Sequence, residues 1–344
     1  VKASKRIFVW IIISLILQCS VYLFLDKFYY AEEGNIKINK DTTTDDQQKK
    51  VTPNVVFGNN VKNISLSDDL NYTAYLSNGH VIVVDTNTGK VRGNLNYSSG
   101  IQCLSYKWVP STDRIMIVEK ISPSQIRFYS YDAENQVKSE VDDTLNKRIN
   151  SVPAGQTANM QISDLTGLLY IKVGYNSIRD NIYRIDRNET LTRSVTGRNI
   201  GAIALASDDD QLAYEDLGSG TIRTNYKLKT YIAISGVSRP SIIGTDSNDN
   251  FYIGNGREQS SVVYYGKLTE NTSAWKKIQL GSMVNNDSIV VKENGNVYIV
   301  DREKSTVTDV KSNKSYNYQG NFCEINDEYI VYTNGGKLMI KQMK

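Results

Sequence analysis

Four segments of this chain each close an apolar, strand-like run with an aspartate: Ile82-Val83-Val84-Asp85, Tyr129-Ser130-Tyr131-Asp132, Tyr183-Arg184-Ile185-Asp186 and Tyr298-Ile299-Val300-Asp301. A unit that returns at a near-regular interval buries its apolar face only against a neighbouring copy, so repetition limits the fold more than any single motif does. From Asp85 to Asp301 the step is about 43 residues, within the roughly 40–45 of a four-stranded propeller blade.

From Val55 onward the pattern is apolar strand, short polar turn, apolar strand. Seven such pairs follow one another: 72–76 with 80–85, 114–120 with 126–132, 168–173 with 181–186, 211–215 with 221–228, 250–253 with 262–268, 288–292 with 296–301, and 328–333 with 337–343. The turns carry the expected chemistry. Asn78-Gly79, Asn294-Gly295 and Asn334-Gly335-Gly336 suit hairpins because both residue types tolerate positive φ. Ser, Asp and Asn clusters precede most pairs, as at 65–69, 162–164, 206–210 and 245–249. Their side chains bond locally to backbone and favour tight turns. None has the spacing of a calcium loop.

A weaker strand ahead of each pair and a fourth behind it (90–95 and 274–280 are examples) complete an all-β propeller of about seven four-stranded blades over 54–344, with six or eight as the neighbouring counts. The region 202–236 is the least regular. The last pair leaves no room for an outer strand before the chain ends. The segment 54–60, with Val55, Val56 and Phe57, is placed to supply it and remove the exposed edges.

Composition agrees: 23 Tyr, 5 Pro and a 40% hydrophobic content lean to a half-buried pleated surface. The net charge of +3 comes from the first 25 residues, which hold Lys2, Lys5 and Arg6 and no acid. The remainder is formally neutral, without the basic stripe that nucleic-acid binding needs. Behind those three charges, residues 7–25 form an uncharged apolar run. As a helix it spans about 28 Å, close to the hydrocarbon thickness of a bilayer. Trp10 lies near one end and Phe28, Tyr29 and Tyr30 past the other, as interfacial aromatics do. The run is longer than a signal peptide's apolar core and lacks a small-residue cleavage pattern. Gln18 before Cys19 does not suit a lipoprotein signal. The expectation is a cytoplasmic stub at 1–6, one transmembrane helix at 7–25, a polar tether at 26–53 and an extracytoplasmic body.

Residues 84–91, Val-Asp-Thr-Asn-Thr-Gly-Lys-Val, are similar to the Asp-x-x-Thr-Gly-Lys segment of quinoprotein-type repeats. Gly79-His80 is the single Gly-His pair, and it sits in a hairpin turn; the WD dipeptide is absent. The region 55–344 thus resembles the WD40-like, TolB-like and quinoprotein-like propeller superfamily. The whole layout looks like that of membrane-anchored propellers of Gram-positive bacteria. The resemblance implies a fold and carries no activity.

Chemistry is mostly excluded. One histidine, His80, and the scattered Cys19, Cys103 and Cys323 make no zinc site. Cys103 and Cys323 read as free buried thiols, with pairing open in an oxidising compartment. No G-x-S-x-G elbow and no phosphate loop occur. Trp108, Trp275, Tyr106, Tyr264 and Tyr265 are read as blade packing, with an aromatic binding platform as the alternative. No catalytic, cofactor or metal residue is named. The expected function is non-catalytic binding of a protein or envelope ligand through loops on a rigid scaffold. The alternative is an envelope enzyme acting on cell-wall or extracellular glycans, with carboxylates at the propeller axis. A sensor would have to signal through a partner, since six residues precede the apolar run.

Overall fold

A computed structural model describes residues 10, 13–15, 17–22, 52–95, 100–143, 148–149, 151–163, 165–326 and 328–344. The chain divides into two compact units, Val1–Lys50 and Val51–Lys344. In the first, residues 10, 13–15 and 17–22 are helical, and Trp10, Ile13, Leu15, Leu17, Val21 and Tyr22 are exposed. Among the described residues no helix is long and apolar enough to cross a membrane. The stub 1–6, nine of the nineteen residues of 7–25 and all of the tether 26–53 but residues 52 and 53 lie outside the described residues.

The second unit is built from seven consecutive antiparallel sheets, the blades, plus a two-stranded ribbon. Blades one, three, four, five and six are four-stranded meanders, each strand pairing with the next in sequence. The first runs Val61–Leu66, Tyr72–Ser77, His80–Asp85, Val91–Leu95. Asn78 and Gly79 both have positive φ at its hairpin, which is what the Asn-Gly pair supplies.

Seven apolar clusters fill the gaps between consecutive blades, and they follow from a period of two. In Leu169–Asn176 of the third blade, Leu169, Ile171 and Val173 pack with Val118, Ile126 and Phe128 of the second. Their neighbour Tyr170 turns the other way, onto Ile203, Leu205 and Leu212 of the fourth. Successive side chains of a strand point to opposite faces, so each blade's middle strands serve two interfaces. This is why they read as unbroken apolar runs. Each fully buried Ile, Leu or Phe contributes about 1.5–3 kcal/mol relative to exposure.

The seventh cluster joins the last blade to the first. Val331 and Leu338 meet Leu66, Tyr75, Val84 and Val55. The last blade has only three strands of its own: Asn321–Asn326, Tyr329–Asn334 and Lys337–Gln342. The segment expected to complete it does so. Val56 bridges Lys337, Phe57 N donates to Gly336 O at 2.8 Å, and Leu338 N donates to Val55 O at 3.0 Å. Asn54 N reaches Thr86 O at 2.8 Å, and a Cβ on Gly89 would lie 2.2 Å from Asn54 O, so only glycine admits the closing strand there.

Two details differ from the sequence reading. The pair at 288–301 was aligned with the second and third strands of other blades. It is instead the first and second, Ile289–Val291 and Val297–Asp301, with Thr306–Asp309 as the third. The cause is the shortness of the innermost strand. It is three residues long and followed by a tight turn whose Lys292 N donates to Asn296 O at 2.9 Å, so it imitates a hairpin arm. In the second blade the outer position is shared. Gln125–Asp132 pairs with Val137–Glu140 at one end and Ser151–Pro153 at the other, and the excursion between them carries the ribbon Asp142–Asp143 with Arg148–Ile149. The irregular region 202–236 forms an ordinary blade whose last strand is only Tyr231–Ile232.

Candidate functional site

The aspartates that defined the repeat serve the turns. Asp85 Oδ1 accepts from Asn87 N at 3.1 Å and Thr88 N at 2.9 Å. Asp132 Oδ1 accepts from Asn135 N, Asp186 Oδ1 from Asn188 N and Thr190 N, and Asp301 Oδ1 from Lys304 N. A carboxylate reaching backbone N–H groups two to four residues on is the bond that makes Asp favourable in turns.

The innermost strands of all seven blades run side by side around an axial cavity of about 660 Å³. An innermost strand has one sheet partner only, so its other edge presents unpaired backbone groups. Polar side chains from neighbouring blades satisfy them. Leu66 N donates to Glu324 Oε1 at 2.7 Å. Trp108 Nε1 donates to Ser65 O at 3.3 Å and Tyr106 OH to Ala74 O at 3.0 Å, both back to the first blade. Lys107, on the opposite face of that strand, donates forward to Gln161 Oε1 at 2.8 Å, and Gln161 Nε2 donates on to Ile203 O. Lys172 Nζ reaches Gly201 O at 2.7 Å, and Lys292 Nζ reaches Ile325 O at 3.1 Å. Glu215 Oε1 takes Ser241 Oγ and Ile242 N. The ring is thus held at its axis by side chains that each cross one blade boundary.

Of the four carboxylates lining this cavity, Asp68, Asp246 and Glu324 are hydrogen-bonded to the scaffold. Asp68 Oδ2 accepts from Ser111 N at 2.6 Å. Asp246 Oδ1 takes Asn248 N and Asn250 N, and its Oδ2 takes Tyr252 OH at 3.0 Å. Glu324 is the exception in its proton affinity. Burial raises its carboxyl to about 7, against the Leu66 N–H and Lys292, which pull it down. Burial likewise lowers Lys107 to about 8, with Glu293 opposing and Lys292 assisting.

These shifts give a signed prediction. Between pH 4.5 and 7 the unfolded chain has lost the Glu324 proton and the native chain keeps it, so stability falls as pH rises through that window. Glu324→Gln keeps an acceptor for Leu66 N and never ionises. It should be more stable than the parent at pH 8, on the order of 2 kcal/mol, with no advantage below pH 4. Urea titrations at both pH values measure this, and equal stability at pH 8 would contradict it. Lys107 runs oppositely: its cost is full below pH 8 and fades toward pH 10.5.

Other residues singled out by sequence fall elsewhere. Tyr106 and Trp108 line the axial cavity, while Trp275 and Tyr264 pack between the fourth and fifth blades and Tyr265 stacks on Tyr252 with centroids 5.0 Å apart. The five aromatics therefore form no common platform. His80 is half-buried at the start of its strand. Cys103 and Cys323 are free, and burial pushes both thiols up to about 12, which keeps them protonated and unreactive. Among the described residues no group of His, Cys, Asp and Glu is placed to hold a metal. Lys107, Gln161, Lys292 and Glu324 were not anticipated. The available signal was a charged or amide side chain inside an innermost strand, or directly after one.

No family model matches the chain, and no curated protein matches it. Solved structures do. The β-propeller domain of Myceliophteria thermophila Cps50 (Swd1) is 9% identical, with a TM-score of 0.52 over 86% of this chain and 100% of that one. The AfRom2 CNH domain is 10% identical, with a TM-score of 0.51 over 84% and 96%. At such identities the likeness is one of fold, and the fold is a seven-bladed β-propeller.

Proposed function

We propose that this chain is a non-catalytic binding module, a propeller displayed outside the cytoplasmic membrane by a helix at 7–25 and a tether at 26–53. The observation that carries the binding reading is the state of the axial carboxylates. Asp68 and Asp246 are bonded to turn N–H groups and to Tyr252, and Glu324 to a strand N–H across a blade boundary. Hydrolysis of a glycosidic bond uses two carboxyl groups facing one scissile bond, one as acid and one as base or nucleophile. Here three of the four axial carboxylates serve the scaffold, with Glu293 the fourth, which favours recognition by the loops. The anchor rests on the basic start, the apolar run and its flanking aromatics.

Glu324 favours a second reading. A half-buried carboxyl whose proton affinity desolvation raises to about 7 is suited to general-acid work. Cell-wall and extracellular glycans incubated with the full chain should release no reducing ends. Release that Glu324→Gln abolishes would replace binding with hydrolysis. The topology has its own test. Protease added to intact cells should cut within 31–53 and free the propeller, and full protection would place the body on the other side of the membrane.

A further inference from the structure

We propose a small-molecule site on the propeller face opposite the Ser/Asp turns, between the fourth and fifth blades, that takes a phosphate or carboxylate group. It is separate from the axial cavity and holds whether or not the chain is membrane-anchored. A pocket of about 240 Å³ opens there. Its floor is the turn joining Leu212–Asp216 to Thr221–Thr224, and its walls are the connection into Ser241–Thr245 and the turn after Phe251–Gly254. The walls bring Arg239 and Arg257, and Ser219 and Ser238 add hydroxyls.

The charges decide the ligand. Two carboxylates belong to the floor, and both are spent. Asp216 Oδ2 binds Arg198 at 2.9 Å and Arg223 at 2.8 Å, while its Oδ1 accepts from Ser219 N. Burial would raise this carboxyl, but the Ser219 N–H and the two guanidiniums outweigh it and hold it below its ordinary range, so it stays ionised. Glu215 is turned inward, its two oxygens taken by Ser241, Ile242 and Ala202. Arg239 and Arg257 form no ion pair among the described residues, and Glu258, next to Arg257 in sequence, is not part of the lining. Arg239 and Arg257 therefore face a pocket whose two acids have their oxygens already engaged, Asp216 by two guanidiniums from outside the lining and Glu215 by N–H and O–H donors. Guanidinium forks match the oxygens of phosphate and carboxylate in a bidentate way that water does not. The volume exceeds that of a bare oxyanion, so it also has room for a small polar body attached to the anion.

Isothermal titration of the full chain with inorganic phosphate, glycerol 3-phosphate, succinate and neutral glycerol tests the site. Saturable binding of at least one anion and none of glycerol is expected. Stronger binding of glycerol 3-phosphate than of succinate would assign phosphate, and the reverse would assign carboxylate. Arg239→Ala with Arg257→Ala should weaken binding at least tenfold, and Arg193→Ala, on an exposed strand elsewhere, should leave it unchanged. The pair Arg239→Lys and Arg257→Lys keeps the charge and loses the fork, so its affinity should fall between parent and alanine pair. No saturable binding of any anion, or binding that survives the alanine pair, overturns the proposal.

Discussion

A chain that begins at Val61 should fail to form the closed ring, whereas one that begins at Thr52 should fold. The difference is the segment containing Asn54, Val55, Val56 and Phe57, which supplies the last blade's fourth strand and ties both ends of the propeller together. Single substitutions separate the contributions. Val55 is buried among Leu66, Val84, Val331 and Leu338. Its neighbour Val56, one residue along and on the other face, is 65% exposed. Val55→Asp forfeits about 2 kcal/mol of apolar burial and adds the cost of an unpaired buried carboxylate. A loss of about 4 kcal/mol or more is expected, visible as a large drop in the urea midpoint. Val56→Asp should stay within about 0.5 kcal/mol. A Val55→Asp variant as stable as the parent would mean that the ring is held without this strand.

That closure was legible in sequence because it is a matter of counting. Seven hairpins follow one another, and an apolar stretch, Val55 to Phe57, precedes the first blade without belonging to its hairpin. The hairpins were legible for a local reason, since Asn78-Gly79 specifies its own backbone. The innermost strand of the sixth blade was misaligned because period-two patterning marks a strand without saying which strand it is. Its three residues, Ile289 to Val291, gave nothing to distinguish it from a hairpin arm. The ribbon in the second blade has no periodic signal at all.

The axial cavity was not legible for a different reason. Lys107 and Gln161 lie in different blades, and Glu324 reaches Leu66 from the far end of the chain. Packing of consecutive blades brings the first two together, and closure of the ring brings Glu324 to Leu66. A sequence pattern reports which face of a strand is buried, and it carries no term for the partner across a blade boundary. The strand-closing aspartates show the converse. Their partners lie within four residues, so a turn assignment could be read directly.

The second large effect belongs to a charge inside the blade packing. Glu119, on Arg114–Ser122, is 2% exposed, and Lys138 Nζ lies 2.7 Å from its Oε1 and 2.8 Å from its Oε2. The lysine reaches there across the intervening strand, its ammonium 4.1 Å from the centroid of the Tyr129 ring. Removing one partner of a buried pair costs about 3–5 kcal/mol, because the other charge remains in a medium that solvates it poorly. Lys138 is 29% exposed, so water offsets part of this, and Lys138→Met should cost about 3 kcal/mol. Replacing both residues, Glu119→Met with Lys138→Met, should recover most of the loss, since no charge is then stranded. A double-mutant cycle in urea reads the coupling directly. Additive single effects would show that Glu119 is neutralised by something other than Lys138. A large coupling would identify the pair as the device that lets an acid sit on the face shared by the first two blades.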